Sequence, residues 1–421
     1  MADLRGVLGL ALLLLVAVAF SRHRRGISVR TVVAALALQV AFALLVLRWG
    51  PGEAALRWVS GRVEALIGFT EEGTRFVFGS LLDVGPEDSP IFALKVLPVI
   101  VFLGALVYLL FYLRVIQWVT HWVGGAIAWL LRVTKVESMY AATVIFLGQS
   151  EAPLMVAPYL ARIRTAQLFA LMTGGFAAAA GSTLVGYSLL GAPLEYLLAA
   201  TVMNAPAGLL MAKILWPDST PEPDWSTIEQ AAADSEEAAF DVRTVRDEES
   251  ANVIDAVGRG ALAGGRIAVT VGALLVAFVA LIAMLNAVLS RVGSWVGVDD
   301  LTFQGVLGWL LAPLAWLLGV PWSEAPEAGS FIGQKTILNE FVAYADFGAQ
   351  VDSLSPVTVV VVTFALAGFA NLASIAIQIG TYSALVPERR AQVARLGLLA
   401  LLGGSLANLA NAAVAGLVVA T

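Results

Sequence analysis

Long runs without a charged residue recur along the chain and limit what it can fold into. Six of these runs are 31–47, 96–113, 165–194, 267–290, 357–387 and 396–421, and a further apolar run covers 197–212. Each reaches or approaches the roughly 20 residues that a helix needs to cross the hydrocarbon of a bilayer. With 59% hydrophobic residues and a mean hydropathy of +0.85, the chain is predicted to be an all-α polytopic membrane protein.

Basic residues beside these runs predict the topology, because short loops rich in Lys and Arg stay in the cytoplasm. The first run, 7–20, is followed by Arg22, Arg24 and Arg25. A secretory signal has its positive charge before the apolar core, so we interpret this run as an uncleaved first helix with its N-terminus outside. Alternation then gives eight spans. The predicted spans are 4–20, 29–49, 91–113, 165–188, 193–213, 264–290, 357–387 and 391–420.

Residues 139–161 form an apolar stretch that holds one charge, Glu151, and has two basic residues on each flank. A segment that crossed the membrane would leave one basic pair outside. We therefore predict a re-entrant hairpin that enters from the cytoplasm and returns, with Gln149, Ser150 and Glu151 at its tip. An ionisable group at membrane depth indicates a functional site.

The second half of the chain repeats this plan upside down. The Trp-bearing amphipathic stretch 115–131, which suits an interfacial helix, has its counterpart in 301–319. Residues 321–346 are too polar for a simple span and predict a second re-entrant hairpin, of opposite orientation. The 31 residues of 357–387 exceed one crossing and are interrupted at Gly368, Asn371 and Ser374, which predicts a discontinuous helix.

The matching break in span 165–188 is expected at Gly174-Gly175 and at Gly181-Ser182-Thr183. Inverted repeats with paired broken helices are typical of secondary transporters, whose sites lie where the broken halves meet. The predicted organisation has four parts. They are scaffold helices and an external segment (1–90), a first repeat (91–215), an acidic cytoplasmic loop (216–258) and a second, inverted repeat (259–421).

The acidic loop carries twelve Asp or Glu and two Arg, and its composition is typical of a flexible, solvated linker. The chain has no Cys and two His, so neither thiol chemistry nor a histidine metal site is expected. No basic surface of the kind that binds nucleic acid is present in the sequence, and no covalent chemistry is expected. The protein is predicted not to be an enzyme.

The candidate site residues suit a neutral ligand with many donors and acceptors. Gln149 can donate and accept at once, as the edge of a nucleobase requires, and Glu340 can accept from two neighbouring hydroxyls, as a ribose offers. Asn371 and Ser374 add polar groups from the broken helix, and the ring of Phe369 suits a base or sugar face. No Arg lies among them, which argues against a bare inorganic anion.

Structural roles for the same residues remain open at this point. Gln149 and Ser150 could satisfy backbone groups at a bend, Glu151 could be a cap or half of a structural pair, and Glu340 could be paired with Lys335. Asn371 and Ser374 could hydrogen-bond helix to helix, as membrane proteins often do. Thr183 suits packing better than ligand contact.

Four motifs resemble the concentrative nucleoside transporter family, and they cover nearly the whole chain in order and at similar spacing. They are Gly148-Gln149-Ser150-Glu151-Ala152-Pro153, Gly319-Val320-Pro321-Trp322, Ile332-Gly333-Gln334-Lys335-Thr336 with Asn339-Glu340-Phe341, and Gly368-Phe369-Ala370-Asn371-Leu372-Ala373-Ser374. The resemblance implies nucleoside uptake across the inner membrane of a bacterium by cation symport. It also implies a homotrimer in which a mobile transport domain moves, elevator-like, against a scaffold of spans 1, 2, 3 and 6.

The resemblance also assigns the site residue by residue. The tip of the first hairpin, Gln149, Ser150 and Glu151, would read the base, with Thr183 near it. The ribose would be read by Glu340, Asn371 and Ser374, and Phe369 would line the site.

The coupling ion is where the chain departs from the family's sodium-coupled members. Those members place an asparagine and a serine side chain at positions that are Val144 and Ala178 here. The carbonyls of Leu147, Ala178 and Ala179 remain but would make a poor sodium site.

Proton coupling is therefore expected, as in some members of the family. A buried carboxylate can take up a proton because a low dielectric disfavours its charged form. Glu151 is the first candidate and Glu340 the second. A sodium symporter of the same fold and a nucleoside sensor that does not transport are the alternatives.

Overall fold

The computed structural model describes residues 2–83, 91–223, 241–297 and 301–420, and helices dominate these ranges. In chain order the α-helices of the described ranges are α1 (Ala2–Ala19), α2 (Val29–Leu47), α3 (Gly50–Phe78), α4 (Phe92–Lys95), α5 (Leu97–Tyr112), α6 (Val115–Leu131), α7 (Lys135–Thr143), α8 (Ala157–Leu160), α9 (Thr165–Ala177), α10 (Gly181–Leu189), α11 (Leu194–Leu215), α12 (Val253–Val296), α13 (Phe303–Leu317), α14 (Ala325–Ile337), α15 (Glu340–Gly348), α16 (Pro356–Leu366), α17 (Leu372–Leu385) and α18 (Arg390–Ala420). The described ranges hold no β-strand, which confirms the all-α prediction.

Six helical segments in the described ranges are long and apolar enough to cross a membrane. They are Val29–Leu47, Phe92–Tyr112, Thr165–Leu189, Leu194–Leu215, Val253–Trp295 and Pro387–Ala420. The other two predicted spans correspond to the 18-residue α1 and to the pair α16 and α17. The helices therefore follow the predicted order.

Two stretches are more helical than the sequence indicates. The predicted span 264–290 lies within the 44-residue α12, which starts earlier because the side chain of Asn252 accepts a hydrogen bond from Asp255 N (3.0 Å) and caps it. Most of the external segment 51–90 folds into α3. Residues 84–90 of that segment, and 224–240 of the acidic loop, lie outside the described residues.

Both predicted hairpins are helix–turn–helix units. In the first, α7 is followed by a turn, a 3₁₀ turn at Ala152–Val156 and the short α8; Pro153 and Pro158 keep this return limb from forming a long regular helix. In the second, α14 leads through a two-residue turn into α15. The side chain of Asn339 accepts from Val342 N (3.0 Å) and thereby caps α15.

Two helices are broken in the middle. The break between α16 and α17 covers residues 367–371, as the sequence predicts from Gly368 and Asn371. The break between α9 and α10 covers 178–180, so the prediction from the flanking glycines is wrong in detail. Gly174 lies inside α9 and faces Gly208 of α11. A Cβ added to Gly208 would lie 3.0 Å from the Cα of Gly174. These glycines serve close helix packing, while tertiary hydrogen bonds hold the alanine break open.

The described ends of the acidic loop are packed and differ from the expected free linker. Lys213 Nζ contacts Glu137 Oε1 at 2.6 Å and Asp218 Oδ1 at 2.5 Å. Glu222 accepts from the backbone N–H and the hydroxyl of Thr165 at 3.0 and 2.6 Å, and so caps α9. Val242, on the returning side, is fully buried. Composition did not reveal the Lys213–Glu137 and Glu222–Thr165 contacts because each joins residues that are distant in sequence.

Candidate functional site

The two broken helices and the tip of the first hairpin meet through backbone hydrogen bonds. Phe369 N donates to Ala178 O at 2.9 Å, which joins the α16–α17 break to the α9–α10 break, and Gly181 N donates to Phe146 O at 3.1 Å. Broken helices expose backbone groups that need partners, and here Phe369 of one break supplies a donor for Ala178 of the other. A Cβ on Gly148 would lie 3.0 Å from the Cβ of Ala180 and 3.5 Å from Phe369 Cε2. The first hairpin can approach this closely because position 148 has no side chain.

Glu340 is the buried anion at this junction. It is the first residue of α15 and is 4% exposed. Its Oε1 accepts from the hydroxyl of Tyr187 on α10 at 3.1 Å, and its Oε2 accepts from Asn371 Nδ2 at 2.8 Å. Because neutral donors hold the carboxylate on both sides, its remaining lone pairs are suited to accept from ligand hydroxyls.

Asn371 performs two tasks at the start of α17. Its Oδ1 accepts from Ser374 N at 2.9 Å, which caps the half-helix, and its Nδ2 donates to Glu340. The cap fixes the side chain of Asn371, so the carboxylate of the second hairpin is held against the N-terminal end of α17. Glu340, Asn371 and Ser374 thus come together as the sequence predicts.

Gln149 joins this group from the other repeat. It is 3% exposed, and its Nε2 donates to Ser374 Oγ at 2.9 Å. The hydrogen bond links a residue of the first hairpin to one 225 positions later, on the broken helix of the second half. The contacts of Gln149 are with side chains rather than with the bend, so the bend-satisfying role considered from sequence does not describe it.

Ser150 and Glu151 have different surroundings from Gln149. Ser150 is exposed and Glu151 is half-buried. Glu151 lines a cavity of about 340 Å³ with Tyr108 of α5, Arg259 of α12 and the stretch 244–249. The structure therefore places Glu151 beside the polar junction, in a cavity that the returning end of the acidic loop borders.

Thr183 and Phe369 are both buried at the junction. The hydroxyl of Thr183 donates to Ala180 O at 2.9 Å and is thus committed to the α9–α10 break. This supports the structural alternative for Thr183. The ring of Phe369 lies beside Gly148 and so can contact a ligand that reaches the hairpin tip.

The positions related to a sodium site carry hydrocarbon side chains, and one of the three candidate carbonyls is already engaged. Val144, Leu147, Ala178 and Ala179 are all buried, and Ala178 O accepts from Phe369 N. In the described ranges there is no group of three or more His, Cys, Asp or Glu that could hold a metal ion.

Lys335 forms no direct ion pair with Glu340 among the ion pairs of the described ranges. Its ammonium donates instead to Ala365 O at 3.1 Å and to Asn408 Oδ1 at 2.7 Å. Asn408 Nδ2 in turn donates to Ala177 O at 2.8 Å. The two side chains satisfy carbonyls at the C-terminal ends of α9 and α16, where each half-helix stops inside the protein.

Sequence reasoning missed Tyr187 and Gln378, both of which contact predicted site residues. Tyr187 lies four positions after Thr183, and Gln378 lies four positions after Ser374. Residues at that spacing share one face of a helix, so a search along the faces of the predicted site residues would have found both. Asn408 of α18, which donates to Asn204 Oδ1 of α11 at 3.1 Å, was also missed; an amide in an apolar helix is a weaker signal.

The class of protein follows from this arrangement. Two sets of hairpin and broken helix, one from each half of the chain, meet at a buried polar site in a helical, strongly apolar chain, and this architecture is that of a secondary membrane transporter.

Comparison with known proteins gives the family. The N-terminal part of the family described as "Na+ dependent nucleoside transporter" matches residues 8–81, and its C-terminal part matches residues 196–416. A gate family described as "Nucleoside recognition" matches residues 93–194. The chain belongs to this family, the concentrative nucleoside transporters, which are cation-coupled transporters and not enzymes.

Relatives and a solved structure match over almost the full length. The chain is 47% identical to an uncharacterized transporter, YutK, of Bacillus subtilis over 412 residues, covering 98% of each. It is 40% identical to the nucleoside permease NupC of Helicobacter pylori over 425 residues, covering 99% of this chain and 98% of the permease. The solved structure of CNTnw in an inward-facing substrate-bound state is 44% identical and superposes with a TM-score of 0.91, covering 100% of this chain and 98% of that one.

Proposed function

We propose that this protein takes up nucleosides across the plasma membrane of a bacterium, the inner membrane where there are two, by symport with H⁺, with its N-terminus outside. The observation that carries the proposal is the contact between the repeats. Glu340 with Asn371 offers acceptors and donors for ribose hydroxyls, and Gln149, bonded to Ser374 from the other hairpin, offers an amide edge for the base. One nucleoside that spans these groups contacts both repeats at once.

The proposed substrate-binding residues are those predicted from sequence, namely Gln149, Ser150, Glu151, Thr183, Glu340, Phe369, Asn371 and Ser374. Tyr187 is added as the residue that donates to Glu340. Two of these have less direct roles than the others. Thr183 acts through the backbone of the α9–α10 break, and Glu151 acts from the adjoining cavity.

The proton is proposed to bind Glu151. Sodium needs a shell of oxygens, and the side chains of Val144 and Ala178 supply none. Both oxygens of Glu340 already accept hydrogen bonds, so a proton bound there would compete with a donor. Glu151 lies half-buried in a cavity beside the site, where it can exchange a proton with water and respond to the ligand. Glu340 remains the second candidate.

Alternating access is proposed to be elevator-like, with both hairpins moving as part of one transport domain. The first hairpin is fixed at both ends, since Glu137 of α7 binds Lys213 of α11, and Arg389 donates to Leu160 O and Ile163 O at 2.7 and 2.8 Å. An apolar crevice of about 540 Å³ lies among α2, α3, α5, α10 and α11. A firmly held hairpin beside an apolar crevice supports rigid-body movement at that boundary.

The scaffold is proposed to assemble as a homotrimer, as the family resemblance implies. Within each protomer α5 and α12 are in direct backbone contact, because a Cβ on Gly104 would lie 2.7 Å from Gly260 O and one on Gly264 would lie 2.5 Å from Ile100 O. This pair of helices supplies a rigid support for a moving domain.

Two alternatives follow from specific observations. The family description includes sodium dependence, which favours a sodium symporter of the same fold. The complete binding junction would equally serve a nucleoside sensor, which needs a site but no driving ion.

Uptake of labelled nucleosides in proteoliposomes, with choline replacing Na⁺ and at two external pH values, separates these functions. Proton symport predicts full uptake in choline and loss of uptake at alkaline pH. Strict loss of uptake in choline would instead establish sodium coupling. Binding without exchange of label in a counterflow assay would establish a sensor.

A further inference from the structure

We propose that Gln378 is a specificity-determining residue, because it fixes which edge of the Gln149 amide faces the ligand. This inference rests on the proposed nucleoside function. A primary amide has a donor edge and an acceptor edge, and a 180° flip exchanges them at almost no cost in shape. A site that reads a base with an amide therefore needs a neighbour that prevents the flip.

The chain of hydrogen bonds that prevents it begins at a backbone carbonyl. Met172 O, on α9, can only accept, and it accepts from Gln378 Nε2 at 3.0 Å. The same nitrogen carries a second hydrogen, which it donates to Gln149 Oε1 at 3.3 Å. The carbonyl at 172 thus determines the orientation of Gln378, and Gln378 determines the orientation of Gln149.

The consequence reaches the candidate site. Since the oxygen of Gln149 points to Gln378, its Nε2 points to Ser374 and donates to Ser374 Oγ at 2.9 Å. All three side chains are at most 3% exposed, so water does not compete for these bonds. Reversing Gln378 would set its oxygen against the oxygen of Met172, and reversing Gln149 would set its N–H groups against Gln378 Nε2.

Gln149 therefore presents an N–H edge to the base and favours an acceptor there. Uridine carries O4 where cytidine carries an amino group, and inosine carries O6 where adenosine carries an amino group. A nucleoside whose amino group faces the N–H edge of Gln149 in a buried site binds roughly 5- to 150-fold more weakly. We therefore expect the wild-type protein to prefer uridine to cytidine and inosine to adenosine by about tenfold or more.

The test compares competition constants of the four nucleosides for wild type and for Gln378→Met, which keeps the volume of the side chain and removes its N–H groups. Ratios of constants from one preparation are independent of how much protein is active. The proposal expects the variant to lose most of both preferences while still transporting. The matched control Gln350→Met alters a half-buried glutamine at the end of the second hairpin, where it bonds to Asp346, and should keep the wild-type ratios.

Three results would overturn the assignment: equal affinities in the wild type, a wild-type preference for the amino nucleosides, or unchanged ratios in Gln378→Met. If that variant does not fold, Gln378→Asn keeps the amide but is too short to join Met172 to Gln149, and the same loss of preference is expected. A wild-type protein that binds none of the four nucleosides would refute the proposed function itself, which is a separate outcome.

Discussion

Replacing Glu340 by Gln tests the role of the buried carboxylate most sharply. Both of its oxygens already accept hydrogen bonds, at 3.1 Å from Tyr187 and at 2.8 Å from Asn371. In the variant one oxygen becomes an NH₂ group, so a donor faces one of these two donors, and the ribose loses an anionic acceptor. A hydrogen bond to a charged group contributes about 1.5–3 kcal/mol, which corresponds to roughly 10- to 150-fold in affinity.

The assay is nucleoside binding by isothermal calorimetry, paired with uptake in proteoliposomes. We expect the Kd to rise at least tenfold in Glu340→Gln and uptake to fall accordingly. The matched control is Glu327→Gln, which alters an exposed glutamate on α14 of the same hairpin and should leave both measurements unchanged. Wild-type affinity in Glu340→Gln would refute the reasoning and remove Glu340 from the site.

The other predictions concern the partner of Glu340 and the coupling ion. Tyr187→Phe should weaken nucleoside binding by roughly 3- to 20-fold, because the variant loses only the hydroxyl that donates to Glu340. The protein should still fold, since the ring keeps its packing on Tyr344 (centroids 4.5 Å apart). An unchanged Kd in calorimetry would contradict this prediction. Glu151→Gln should abolish the pH dependence of net uptake but leave counterflow exchange, because the amide cannot bind and release a proton during transport. Uptake that still accelerates as the external pH falls would show that the coupling proton binds a different residue. Val144→Asn combined with Ala178→Ser should increase the sodium dependence of uptake, since it restores two oxygen ligands; identical rates in sodium and choline would count against the assigned positions.

The order of the fold could be predicted from sequence because membrane spanning and charge asymmetry are local signals. The spans at 29–47 and 194–215 and the broken helix around Gly368 and Asn371 each depend on the composition of a single stretch. The break at 178–180 could not be located in the same way. Those residues are alanines, and the hydrogen bond from Phe369, almost 200 positions away, holds them in an extended form.

The residues of the candidate site also divide into those that local sequence predicts and those that depend on distant neighbours. Glu340, Asn371 and Ser374 were predictable because polar groups within an apolar hairpin or helix break are conspicuous, and the structure brings them together. The partners Tyr187 and Gln378 were not, because a tyrosine or glutamine on a helix is unremarkable until its neighbour is known. The different surroundings of the residues at the hairpin tip could not be predicted from sequence either. Consecutive residues face different surroundings, with Gln149 in the junction and Glu151 in the adjoining cavity.

The central claim is that one ligand contacts both repeats where the hairpin tips and the broken helices meet. An experimental structure of the protein with bound uridine tests it directly. The proposal predicts the ribose hydroxyls within hydrogen-bond distance of Glu340 and Asn371 and the base against Gln149. Uridine bound elsewhere, or in contact with only one of the two repeats, would contradict the claim.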